Sequence, residues 1–135
     1  MAGAGDEISK IKNLLHWVHE VVPHDGNSDN PKIKNTAAMI ELCREENRGV
    51  NCRMMAQMLT EVYLAMGFKA RFVTCMPMNY VSDCHVITVV YSNTLNKWVW
   101  VDPTFDLFVV DENGTMLSIA EVRERIRNDK PLQIN

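Results

Sequence analysis

The sequence predicts an α+β domain in which N-terminal helices pack on an antiparallel β-sheet. Three observations predict it. Apolar residues recur at helical spacing through the first half of the chain, from Ile8 to Met66. After Gly67 the pattern changes to runs rich in Val, Ile, Thr, Phe and Trp, separated by turn residues. The turns between those runs, Ser92 to Asn96 and Asn113-Gly114, are short enough to join antiparallel neighbours. A length of 135 residues allows one domain, and a chain 47% hydrophobic and only 23% charged can build a core instead of staying disordered.

The first helix is marked by Ile8, Ile11, Leu14, Leu15, Val18, Val21 and Val22 and is stopped by Pro23. Trp17 belongs near its apolar face. His16 and His19 lie one turn apart, a spacing that can share a metal but that more often leaves both in solvent. His24 to Pro31 is a polar loop rich in turn residues. A second helix starts at Asn35 or Thr36 and runs through Met39, Leu42 and Cys43 to about Glu46, with Cys43 as inert packing and Arg48-Gly49 as the break. A third starts at the N-cap Asn51 and carries Met55, Met58, Leu59, Val62, Tyr63 and Met66 on one side. Gly67 then supplies the positive φ that a helix end favours.

The strands follow. Residues 70–76 are β-rich, residues 77–82 form a loop, Cys84 to Tyr91 is a second strand, and Lys97 to Asp102 a third that Pro103 ends. Phe105 to Val110 extends the sheet, and Asn113-Gly114 turns it back through Thr115 to Leu117. Ser118 and Glu121 form a capping box for a last helix through Val122 and Ile126 that ends before Pro131. The nine methionines suit adaptable core filling.

Several function classes are disfavoured. A net charge of −3 gives no reason to expect nucleic acid, and no apolar run is long enough for a membrane-spanning helix. The four cysteines, Cys43, Cys52, Cys75 and Cys84, contain no C-x-x-C pair, so neither a metal site nor a cofactor is expected. No charged start precedes an apolar stretch, so no signal peptide is read, although a leader removed from the natural chain would leave the same sequence. Neither the compartment nor the oligomeric state can be read from these residues.

The candidate chemistry begins at Cys52. As the first residue after the Asn51 cap it sits among unpaired amides at the positive end of a helix dipole, where a thiol ionises more easily. The bland alternative is a small apolar residue opening a core helix. The hairpin around residues 92–96 supplies partners. A turn that pairs Ser92 with Leu95, or Tyr91 with Asn96, continues to pair His85 directly with Asp102 on one sheet face. A carboxylate there fixes the tautomer of an imidazole and stabilises its charged form. Cys52, His85 and Asp102 would then be nucleophile, base and orienter.

These residues also lie in motifs that resemble the transglutaminase-like superfamily. Gly49-Val50-Asn51-Cys52, followed by a helix and Gly67-Phe68-Lys69-Ala70-Arg71, looks like that family's nucleophile helix and next strand. Cys84-His85-Val86 looks like its histidine strand, and Trp98-Val99-Trp100-Val101-Asp102-Pro103-Thr104 like its closing motif. The likeness runs over roughly residues 8–110. It implies a papain-like core, assigned to residues 6–117; residues 1–5 read as a flexible lead or cloning remnant, and residues 118–135 as a C-terminal helix and tail. It also implies Cys52, His85 and Asp102 as the catalytic residues of a cysteine-nucleophile enzyme acting on a peptide or protein substrate. Protein-crosslinking members carry Gln-Cys-Trp where this chain has Asn51-Cys52-Arg53, and no acidic calcium cluster is visible. Amide hydrolysis is therefore the first expectation. Acyl transfer to an amine, or a non-catalytic binding or scaffold domain of the same fold, is the alternative. One oxyanion donor is expected at the Cys52 amide, with Trp17 a weak candidate for the second.

Overall fold

The computed structural model describes residues 2–76 and 84–135. The loop expected at residues 77–82 lies outside them, as does Asp83. Three helices come first: α1 (Glu7–Val21), α2 (Thr36–Glu46) and α3 (Cys52–Ala65). The strands β1 (Ala70–Cys75), β2 (His85–Ser92), β3 (Lys97–Asp102) and β4 (Leu107–Val110) follow, then α4 (Ile119–Arg127) and the short β5 (Gln133–Ile134). The strands form one antiparallel sheet in the order β1-β2-β3-β4-β5.

Each helix begins where a side chain can take a free amide. Asp6, Asn35, Asn51 and Ser118 accept from Ser9, Ala38, Met54 and Glu121, and the Ser118–Glu121 capping box closes in both directions. α2 is ended by Asn47 in the left-handed region (φ 49°). Gly49 has a different reason to be glycine: a Cβ there would stand 2.5 Å from the Pro23 carbonyl oxygen. That close approach lets Val50 N–H donate to Pro23 O and Asp25 N–H to Val50 O, so the chain leading into α3 is strapped to the chain leaving α1.

The core lies between the helices and one face of the sheet. Ile11, Leu14, Leu15 and Val18 of α1 meet Met55, Met58, Leu59 and Tyr63 of α3 over Val90, Val99 and Val101. A polar bolt fixes α3 along β2. The buried hydroxyls of Thr60 and Thr88 both donate to the Ala56 carbonyl, at 2.8 and 2.9 Å. At the other end the Tyr63 hydroxyl donates to the Ile11 carbonyl, and full burial pushes its pKa well up.

The β2–β3 hairpin differs from the expected register. Ser92 pairs with Lys97 and Thr88 with Val101, so the turn is the four residues Asn93 to Asn96, with Asn96 in the left-handed region (φ 56°). Continued to the strand ends, this register sets Asp102 opposite Ile87 instead of His85. The cause is Glu7 at the start of α1. Its carboxylate accepts from Ser92 Oγ and from the backbone N–H groups of Asn93 and Thr94. The turn is thus held open by a group outside the hairpin. The shift is two residues, the side-chain period of a strand, so His85 and Asp102 still share a face.

The C-terminal residues rejoin the sheet. The turn at residues 111–114 returns through the bridge Val110–Met116, with Gly114 at φ 78°. Lys97 to Glu121 and Arg125 to Glu112 tie α4 down, and β5 pairs with β4. No helix among the described residues is long and apolar enough to cross a membrane.

Candidate active site

His85 opens β2 and Asp102 closes β3, at the same end of the sheet. His85 Nε2–H donates to Asp102 Oδ2 at 2.7 Å. The other carboxylate oxygen, Oδ1, accepts from Thr104 N–H at 2.9 Å. The aspartate side chain is only 3% exposed and the imidazole 35%. A carboxylate so far removed from water is tolerated because both oxygens are occupied by donors. The pair is diagonal across the two strands, within reach for side chains of this length. Holding Nε2 as the donor directs the lone pair of Nδ1 away from Asp102.

The stretch after Asp102 is itself tethered. Pro103 and Thr104 are buried, whereas Phe105 stands out at 63% exposure with its ring centroid 5.7 Å from that of His85. His19 Nδ1–H donates to the Pro103 carbonyl at 2.9 Å, and His16 Nδ1 meets Asp106 Oδ2 at 2.7 Å. That ion pair raises the His16 pKa above its ordinary value. The two histidines of α1, which spacing alone leaves in solvent, are therefore ties to the turn that carries Asp102. Among the described residues no group of three His, Cys, Asp or Glu side chains is placed to hold a metal.

Cys52 is the first residue of α3 and is half-buried. Asn51 organises this helix start with both ends of its amide: Oδ1 accepts from Met54 N–H at 3.0 Å, and Nδ2 donates to Asn30 Oδ1 at 2.6 Å. The next residue, Arg53, reaches Thr74 Oγ1 at 3.4 Å. Thr74 pairs with Val86, the neighbour of His85. The first turn of α3 thus lies at the His85 end of the sheet. α3 covers the face that carries Thr88, and alternation turns His85 to the other face. Among the described residues the hydrogen bonds join His85 to Asp102 but do not include the Cys52 thiol.

The other cysteines sit differently. Cys43 is buried in the core, and burial raises its pKa. Cys75 pairs in register with His85, a juxtaposition that sequence spacing does not announce. Partial desolvation of its sulfur, and then the nearby Asp102 carboxylate, raise the Cys75 pKa, although the residue as a whole is exposed. Cys84, also exposed, precedes β2. Trp17 lines a groove with Glu61, Val62, Ala65 and Met66, in the last turns of α3, at the opposite end of that helix from Cys52.

Comparison with known proteins places the fold and the family. The fold is similar to that of a candidate cysteine protease from Cytophaga hutchinsonii solved by crystallography, with a TM-score of 0.59 and 19% sequence identity. The match covers 98% of this chain but only 42% of that protein, so this chain spans less than half its length. Curated proteins give no sequence match. The family model for the transglutaminase-like superfamily matches residues 1–103, from the N-terminus through α1, α2, α3, β1, β2 and β3 to Pro103, and the chain belongs to that superfamily.

Proposed function

We propose that Cys52, His85 and Asp102 form the catalytic triad of a thiol enzyme that hydrolyses peptide or protein amides through an acyl-enzyme. The observation that carries this reading is the hydrogen bond from His85 Nε2 to Asp102 Oδ2. Because Thr104 N–H holds the second oxygen, the carboxylate is fixed and the imidazole keeps Nδ1 for a second proton partner. In this reading Nδ1 accepts the Cys52 proton and the thiolate attacks the amide carbonyl. The Cys52 amide, free at the helix start, stabilises the oxyanion. Imidazolium Nδ1–H then protonates the leaving amine as the C–N bond breaks, which leaves a thioester on Cys52. Water, deprotonated by His85, cleaves the thioester, releases the carboxylic acid and restores the thiol.

Cys52 is favoured over Cys75 although Cys75 is nearer to His85 in strand register. Burial and the Asp102 charge both push the Cys75 thiol up, the wrong direction for a nucleophile. Cys52 has a helix start instead. Transfer of the acyl group to an amine shares every step up to the thioester. It is the second reading because the family name is that of an acyl transferase.

The experiment is a fluorogenic peptide-amide library assayed with and without a primary amine, on wild type and Cys52→Ala, together with peptide mapping after an acyl-electrophile probe. Turnover that Cys52→Ala abolishes, with the adduct on Cys52, is the expected result. Free acid as the main product identifies hydrolysis, and amine adduct identifies transfer. An intact protein that neither turns over any amide nor acquires an adduct at Cys52 is instead a scaffold of the same fold.

A further inference from the structure

From Asp102 to Asp106 the chain buries three residues and then exposes an aromatic one. Asp102, Pro103 and Thr104 are buried, and Phe105 stands in solvent beside the His85 ring. The backbone there is not free to tuck the phenyl ring away. Thr104 N–H is held by Asp102, the Pro103 carbonyl by His19, and the Asp106 side chain by His16, while Asp106 itself sits at φ 53°. A turn fixed at this many points presents its phenyl group by construction.

We infer that Phe105 is a specificity-determining contact that receives a large apolar side chain on the acyl side of the substrate amide. The inference rests on the triad reading above and adds the substrate class to it. Apolar surface held next to a reacting group is stabilised only when something apolar covers it. A side chain on the acyl residue lies one or two bonds from the carbonyl that the thiolate attacks. Its burial against Phe105 would also exclude water from the imidazole.

The test uses capped peptide amides that share a leaving group and carry Gly, Glu, Leu or Phe as the acyl residue. Wild type should prefer Phe and Leu over Gly and Glu in kcat/KM by roughly ten- to a hundredfold, the range that apolar pockets reach. Phe105→Ala should bring the Phe-to-Gly ratio to within about threefold, with the loss carried by KM of the apolar amides, and Phe105→Leu should keep most of the preference. A Phe105→Ala protein that retains the ratio while kcat falls alike for every amide overturns the inference, because that is the behaviour of a ring that only orients His85. Binding is measured in parallel by saturation-transfer NMR with Cys52→Ala, which needs no turnover. A Phe-over-Gly binding preference that disappears in Cys52→Ala/Phe105→Ala supports the apolar contact even if wild type proves inactive, and in that case only the triad reading fails. No side-chain preference in either arm overturns the contact itself.

Discussion

Asp102→Asn tests the site with the smallest change in shape. Asp102 Oδ1 faces Thr104 N–H, and a backbone N–H can only donate. The asparagine must therefore keep its oxygen toward Thr104 and turn its NH2 toward His85. In the native site Nε2–H donates to Oδ2 at 2.7 Å, whereas in the variant Nε2 must accept. The proton moves to Nδ1, the nitrogen needed to deprotonate Cys52. The geometry stays near native, but the tautomer is inverted. The equivalent change in a serine protease triad lowers kcat by about ten-thousandfold, or roughly 5.4 kcal/mol of barrier, and a loss of that order is expected here. Melting should barely move, because the volume and the Thr104 hydrogen bond are kept and the bond to His85 is only reversed in direction. The assay is kcat on the best amide, with nitrogen-15 NMR of the His85 ring to report which nitrogen is protonated. A variant within about tenfold of wild-type kcat whose ring carries its proton on Nδ1 would refute the reasoning, since an orienting carboxylate would then be unnecessary.

Three further outcomes are expected. Cys52 should react with iodoacetamide near neutral pH roughly tenfold or more faster than Cys43 and Cys75, whose thiols are both raised by burial, and peptide mapping that finds Cys75 labelled first would reassign the nucleophile. Glu7→Ala should cost about 2 kcal/mol and roughly 6–8 °C of melting temperature, because Ser92 Oγ and two turn amides lose a charged acceptor. Burial opposes ionisation of Glu7, but hydrogen bonds from Ser92, Thr94 and Asn93 outweigh it and lower its pKa. Its stabilisation is present above the ordinary value of 4.5 and is lost as the pH falls through the lower folded value, so the Glu7→Ala deficit should shrink in acid. His16 has the opposite sign. Asp106 raises its pKa above 6.5, so the latch contributes fully below that value and is lost as the pH rises through the folded value; an NMR titration should show His16 returning toward 6.5 in Asp106→Asn.

What the sequence made legible was mostly local. An Asn followed by amphipathic spacing sets the start of α3, and Ser118 with Glu121 sets the start of α4, because a cap is satisfied within four residues. What it concealed was set by distant partners. The hairpin register depends on Glu7, 85 residues from Ser92. The uses of His16 and His19 depend on a turn 84 to 90 residues away. β5 is two residues long and too short to show any periodicity. The place of Cys75 beside His85 is not legible in the sequence, because it comes from the pairing of β1 with β2.

The size of the register shift decides whether His85 and Asp102 can meet. Had Glu7 held the turn open by one residue, His85 and Asp102 would face opposite sides of the sheet and no rotamer could join them. A shift of two leaves them on one face and changes the pair from direct to diagonal, a separation that a histidine and an aspartate span at 2.7 Å. The diagonal then leaves room opposite His85, where the chain after Asp102 must turn away from β2. That turn holds Thr104 N–H on the carboxylate and Phe105 against the imidazole. A hairpin in direct register would place Asp102 itself in that room. The constraint from α1 at one end of the hairpin thus shapes the wall of the site at the other end.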